Sequence, residues 1–369
     1  MPIVPQTQNS TQPDAASGGS VPFMLGTNSY AEQISTDTFQ LGATAQEFVH
    51  NITPGGYLRG VDLQLTSAGG TTGSLTADAP YNLLNSVSLE NIDGSPILYP
   101  MGGYAYAMWQ KFSAPWLGEP SNPAQLYSTG QGTPGFFLHL YPEIYGTAGV
   151  LANTDARAQY RVRYTLSPAT TVGTGYTVTP TVTAVCALQT WAQPDRQDLH
   201  GNTIQAQPPG LNLARIVRHQ VLTLNSAGAT NLIQVTNTGN EIRNIIIIIR
   251  DQTNARVDGI SGVLRLRLDD RSLGTYTPNT LFDRAVKFFP NLGNNTFPRP
   301  TGVYCIPRYQ SPTPDNGTLL NNDAWLATSN ATFLNLEFVT AAGPTGGTVE
   351  VITDEVVPVG SIPLEIEGA

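Results

Sequence analysis

Charge is what this sequence has least of. Only 12% of its 369 residues are Asp, Glu, Lys or Arg, about half the usual share. Lys111 and Lys287 are the only lysines, and no run of basic residues exists. The balance is 18 − 27 = −9, so the chain has no general attraction to a phosphate backbone. Cysteine is scarce as well. Cys186 and Cys305 stand in separate apolar runs, AVCAL and VYCIP, which predicts two buried free thiols. A disulfide scaffold needs more cysteines in a shorter chain. With no CxxC pair, a zinc site has no support either. Long apolar runs are missing. The longest aliphatic stretch, Ile245 to Ile249, falls far short of the roughly 20 residues of a membrane helix. It suits one strand buried on both faces. The N-terminal MPIVPQTQNSTQPDAASGGS lacks the basic and apolar regions of a secretory signal, from which synthesis in a cytoplasm is expected.

No Gly-X-Y period and no apolar heptad runs through the chain, which excludes collagen and coiled coils. What is present is a 40% apolar fraction with 36 Gly and 28 Pro, enough core for folding and many turns. Strands with one apolar face recur. Val61, Leu63 and Leu65 alternate with polar residues, as do Val162, Tyr164 and Leu166, then Leu264, Leu266 and Leu268, then Leu334, Leu336 and Phe338. Period two is the mark of a half-buried antiparallel strand.

These patterns divide the chain. Residues 1–36 are polar and aperiodic and read as an arm. Residues 37–190 are a strand-rich unit. The stretch 191–211, WAQPDRQDLHGNTIQAQPPGL, reads as a linker. Residues 212–357 form a second strand-rich unit, and 358–369 a tail. The two units look like copies. FVHNITPGGYLRGVDLQL from Phe48 matches LIQVTNTGNEIRNIIIII from Leu232, placing Arg59 on Arg243. VSLENID from Val87 matches LRLRLDD from Leu264 (264 − 87 = 177). A short helix follows in each, with Tyr104, Met108 and Phe112, or Leu281, Ala285 and Phe289, on one apolar face. Lys111 falls on Lys287, and both lysines are expected near solvent or a neighbouring subunit. PGFFLHL from Pro134 then matches TGVYCIP from Thr301, and the Tyr160 strand matches the Leu334 strand (334 − 160 = 174). Eight antiparallel strands in about 150 residues predict a jelly roll in each half. Immunoglobulin-like sandwiches are shorter and have no recurring helix.

Chemistry-bearing residues form no recognisable constellation. His50, His139, His200 and His219 show no HxH or HExxH spacing; His139 reads as a packed or rim histidine and His200 as solvated. Asp269 and Asp270, and likewise Glu90 and Asp93, read as turn caps rather than Ca²⁺ ligands. Val172-Gly173-Thr174-Gly175 lacks the following helix and Lys of a phosphate cradle. GxSxG is absent, and no Ser or Cys sits in a nucleophile context. Trp109, Trp116 and Trp191 read as core, with subunit contact as the alternative. No catalytic, cofactor-binding or metal residue is assigned, and no enzyme is expected.

The tandem repeat, the polar arm and the Thr- and Asn-rich composition, over about Thr38 to Val357, resemble one family. It is the double jelly-roll major capsid proteins of tailless icosahedral viruses, such as the tectivirus-like phages. The resemblance implies an all-β fold of two tandem jelly rolls, each with a short helix, standing upright in a shell. It implies pseudo-hexagonal homotrimers in a virion, with loops 142–156, 167–179 and 310–330 as outward towers. Partners would be further copies, penton and minor capsid or membrane proteins. The neutral arm argues against direct nucleic-acid binding. The rival readings are a carbohydrate-binding or adhesin-like tandem β-sandwich protein and a tandem jelly-roll hydrolase.

Overall fold

The computed structural model describes residues 20–358, apart from 70–73, 77, 114–126, 129–132, 145–147, 209–210, 212, 236–238, 289–299 and 308–324. In the first half the main strands are β1 (Ser29–Gln40), β2 (Gln46–Asn51), β3 (Gly56–Ala68), β4 (Leu84–Glu90) and β5 (Pro96–Met101). Helix α1 (Gly103–Ser113) follows, then β6 (Phe136–Leu140), β7 (Arg161–Leu166) and β8 (Thr181–Trp191). The second half repeats this order: β9 (Leu213–Thr223), β10 (Thr230–Val235), β11 (Glu241–Arg250), β12 (Ile260–Leu268), β13 (Arg271–Tyr276), α2 (Pro278–Phe288), β14 (Val303–Pro307), β15 (Leu334–Thr340) and β16 (Thr348–Pro358).

Pairing repeats with the order. The first half forms sheets β1-β8-β3-β6 and β2-β7-β4-β5, and the second forms β9-β16-β11-β14 and β10-β15-β12-β13. Each strand therefore corresponds to the strand eight places later, and each half is an eight-stranded jelly roll. Even an irregularity recurs. The register of β3 against β8 shifts across Arg59, and that of β11 against β16 shifts across Arg243, so both halves carry a β-bulge at the same arginine.

Alternation fills the cores. Leu63, Leu65, Val87, Leu89, Val162 and Tyr164 fill the first, while Leu264, Leu266, Leu334, Leu336 and Phe338 fill the second. The aliphatic run of β11 serves both. Ile245, Ile247 and Ile249 enter the second core while Ile246 and Ile248 enter the first, and all five are fully buried.

Several expectations change. The arm does not extend to residue 36, because β1 begins at Ser29 and pairs with β8 along its whole length. SYAEQISTDTFQ shows no alternation because this edge strand is exposed or half-exposed throughout. Residues 21–28 are also docked: Phe23 is buried against Tyr57 and Val150, and Val21 bridges to Ile204 of the linker. The linker begins after Trp191, the last residue of β8. Residues 142–156 are no tower. Glu143, Ile144, Ala148 and Val150 are buried, and Leu151–Asn153 pairs with β3. Residues 167–179 fold back too, through a helical turn at Ala169–Val172 and pairing of Gly173–Thr174 with Ser74–Leu75. The third expected tower lies mostly outside the described residues, as do Trp116, Phe289 and residues 359–369.

Candidate functional site at the junction of the two jelly rolls

The halves meet through unlike surfaces. The last strand of one sheet in the first half, β5, lies parallel to β9, the first strand of the second half, with Leu98 opposite Val217. This joins the two sheets into one. Helix α1 lies against β11 and β16. Tyr104 to Trp109 and Phe112 are all buried, because one side of the helix meets its own barrel and the other meets Ile246, Ile248 and Ile352. The expected position of Lys111 is thereby corrected. It is half-buried, and burial lowers its pKa. Helix α2, in the equivalent place, buries Leu281 against its own barrel and exposes Asp283 and Arg284.

Polar side chains lock this junction. Arg215 and Asp354 are wholly buried and form a bidentate pair, Nε–Oδ1 2.8 Å and Nη2–Oδ2 2.6 Å. Arg215 also donates to the carbonyls of Tyr141 (3.4 Å) and Glu143 (3.3 Å) in the first half. Its guanidinium stacks 4.6 Å from the Trp109 ring. Arg243 adds a third bond to Asp354 at 3.2 Å. Burial pushes the Glu143 carboxyl up to about 7 even though Arg59 holds it at 2.8 Å. A second cluster crosses the junction elsewhere. Asp78 of the first half accepts from Arg250 (2.5 Å) and Arg256 (2.7 Å) of the second. Glu350 receives Arg250 at 2.6 Å and His219 at 3.2 Å. Burial would raise the Glu350 pKa, but His219 and Arg250 together hold it below its ordinary value. Arg218 donates to the Tyr99 hydroxyl at 2.7 Å and Glu355 at 3.1 Å. Such pairs hold a unique geometry more than they add net stability.

The sequence marks the helix and the strands but misses this junction. The usable signal is charge inside apolar strands, Arg215 in LARIV and Asp354-Glu355 in VITDEVV, in a chain otherwise poor in charge. Other singled-out residues are structural. Asp269 caps the amides of Thr332 and Phe333, and Asp93 caps Ser95. Glu90 is no turn cap; it holds Arg163 at 2.6 Å and Arg161 at 3.5 Å. His139 is held by Asp62 at 2.6 Å, and His200 lies exposed in the linker. Cys186 and Cys305 are buried and free. Among the described residues, no three His, Cys, Asp or Glu side chains are grouped to hold a metal, and no helix is long and apolar enough to cross a membrane.

No family model matches this sequence, and no curated protein matches it. Solved structures do. The STIV MCP superposes with a TM-score of 0.61 at 11% identity, over 90% of this chain and 97% of that one. The PBCV-1 virus capsid gives 0.57 at 11% identity, over 89% and 94%. The major capsid protein P2 from bacteriophage PM2 gives 0.52 at 9% identity, over 90% and 98%. Matching these structures over about nine-tenths of its length, this chain has the double jelly-roll fold of viral major capsid proteins.

Proposed function

We propose that this chain is the major capsid protein of an icosahedral virus and assembles as a homotrimer of pseudo-hexagonal outline. The observation that carries the reading is the head-to-tail junction within the chain. A contact between unlike surfaces either closes into a ring or runs on as a filament. Among the described residues the duplication leaves the complementary surfaces open, β13 and α2 of the second half and β1 and the outer face of β3 and β8 of the first. Repeating the junction between copies, with a rotation of about 60° at each step, closes six barrels from three chains. The low charge supports a tile role, since flanks pressed against neighbours lose little hydration energy. In this reading the barrels stand upright in the shell of a virion. The partners are other copies together with penton, minor capsid or membrane proteins, and the −9 balance leaves the genome to others.

Light scattering on the purified protein is expected to give roughly 118 kDa, three times the 39.4 kDa chain. Negative-stain images are expected to show hexagonal outlines. A monodisperse monomer at micromolar concentration would sink the reading.

A further inference from the structure

Resting on the trimer reading, the internal repeat assigns the strand pairing between copies: we propose that β1 of one copy lies parallel to β13 of the next, with Ala31 opposite Gly274. The residues follow from register. Gln189 pairs with Gly60 and Asp354 with Asn244, each just past the bulged arginine. Ala31 pairs with Gln189, and Val217 pairs with Asp354, so Ala31 stands where Val217 stands. On the other side, Leu98 pairs with Leu89 and Gly274 with Leu266. Leu89 and Leu266 hold equivalent places, opposite Val162 and Leu336. Gly274 therefore stands where Leu98 stands, and Leu98–Val217 is the bridge that joins the halves.

Both strands are open for it. Among the described residues β1 pairs only with β8, and β13 only with β12, so each presents a free row of backbone donors and acceptors. The faces beside them match in polarity. In the internal junction β11 offers Ile246 and Ile248 to α1. The equivalent positions of β3, at the same 184-residue offset that relates Arg59 to Arg243 (243 − 59), are Asp62 and Gln64. Opposite them, α2 exposes Asp283 and Arg284 where α1 is buried. A polar face meets a polar face, as suits a contact between separately folded chains.

The test is cross-linking. Arg218 and Tyr99 touch across the internal junction at 2.7 Å; their counterparts, one residue along each strand, are Glu32 and Thr275, both exposed. The chain with Glu32→Cys and Thr275→Cys is treated with a short bismaleimide and run on a denaturing gel. The native thiols are buried and stay silent. The expected product is a covalent trimer, with each single variant remaining uncross-linked. A native trimer that yields no cross-linked species rejects this pairing and leaves the trimer reading standing. Cross-linking of a single variant means a two-fold contact and also rejects the pairing. A wild-type monomer in light scattering rejects both.

Discussion

Replacing Arg215 with Met tests whether the two jelly rolls behave as one body. Arg215 and Asp354 are both fully enclosed, and Arg215 ties this cluster to the first half through the Tyr141 and Glu143 carbonyls. Removing one partner of a buried pair costs about 3–5 kcal/mol, because the remaining charge stays desolvated. Here Arg243 stays beside Asp354 at 3.2 Å, which favours the lower part of that range, so about 3–4 kcal/mol is expected. The melting shift depends on what unfolds. Unfolding entropy is about 2.1 cal/mol/K per residue, hence about 0.7 kcal/mol/K if both halves melt together and about 0.3 if one melts alone. A loss of 4 kcal/mol is then about 6 °C for the whole and about 13 °C for a separate half. The first core contains Val217, Ile246, Ile248, Val303, Cys305 and Ile352 from the second half, so one transition lowered by about 6 °C is expected. Scanning calorimetry reads both the shift and the number of transitions. Arg265→Ala, which breaks an exposed pair with Glu337, serves as the control and should change stability by no more than about 1 kcal/mol. A shift below about 2 °C for Arg215→Met, or two resolved transitions, would refute the argument.

Other outcomes follow from single sites. Glu143, with its pKa raised to about 7, binds its proton more tightly folded than unfolded; its contribution is full below the unfolded value near 4.3 and is lost as pH rises through 7. Glu143→Gln should therefore gain on wild type between pH 5 and 8, by at most about 3 kcal/mol, in urea titrations at each pH; a constant difference would contradict this. Burial raises the thiol pKa of Cys186 to about 11 and that of Cys305 still further. Ellman's reagent at pH 7 should find both thiols in denaturant and neither in the folded protein within minutes. Gly347→Ala should destabilise by about 1–3 kcal/mol, since its Cβ would sit 1.9 Å from the Arg250 carbonyl oxygen; a neutral thermal shift would show that this backbone gives way easily.

Legibility in the sequence followed the physics of each element. The half-buried strands were readable, and their register with them. Val87 pairs with Tyr164 and Leu264 with Phe338, which reproduces the offsets of 177 and 174 (264 − 87 and 338 − 164). The sequence repeat places the second strand one residue out of register. Phe48 pairs with Tyr164, but it is Asn231, not Leu232, that pairs with Phe338. Leu232 is 63% exposed, so matching by hydrophobicity chose the wrong face. β1 escapes because its core-facing side is only half-buried and mixes Ser35 and Asp37 with Ile34 and Phe39, and a bulge at Ile34 breaks the period. The surroundings of α1 escaped for a different reason. Its sequence, GYAYAMWQKFS, is apolar on nearly every side, which signals enclosure, but the covering surface is supplied by strands more than 100 residues away. The same distance hides the Arg215–Asp354 pair.

In the proposed trimer the two equivalent surfaces of this chain face different demands, and their residues differ accordingly. The internal junction forms as the chain folds and never has to be soluble by itself. It can use Ile246, Ile248 and a fully buried ion pair, because no separated state exposes them short of unfolding. An equivalent junction between chains must survive as free surface before assembly. Isoleucines at its positions would leave an apolar patch on every unassembled copy, the usual route to indiscriminate association. Asp62 and Gln64 on β3, and a β1 whose side chains are all exposed or half-exposed, avoid that. A polar contact of this kind is weak taken singly. Ring closure compensates, because each chain in a closed trimer is held by two contacts, and releasing one chain requires breaking both.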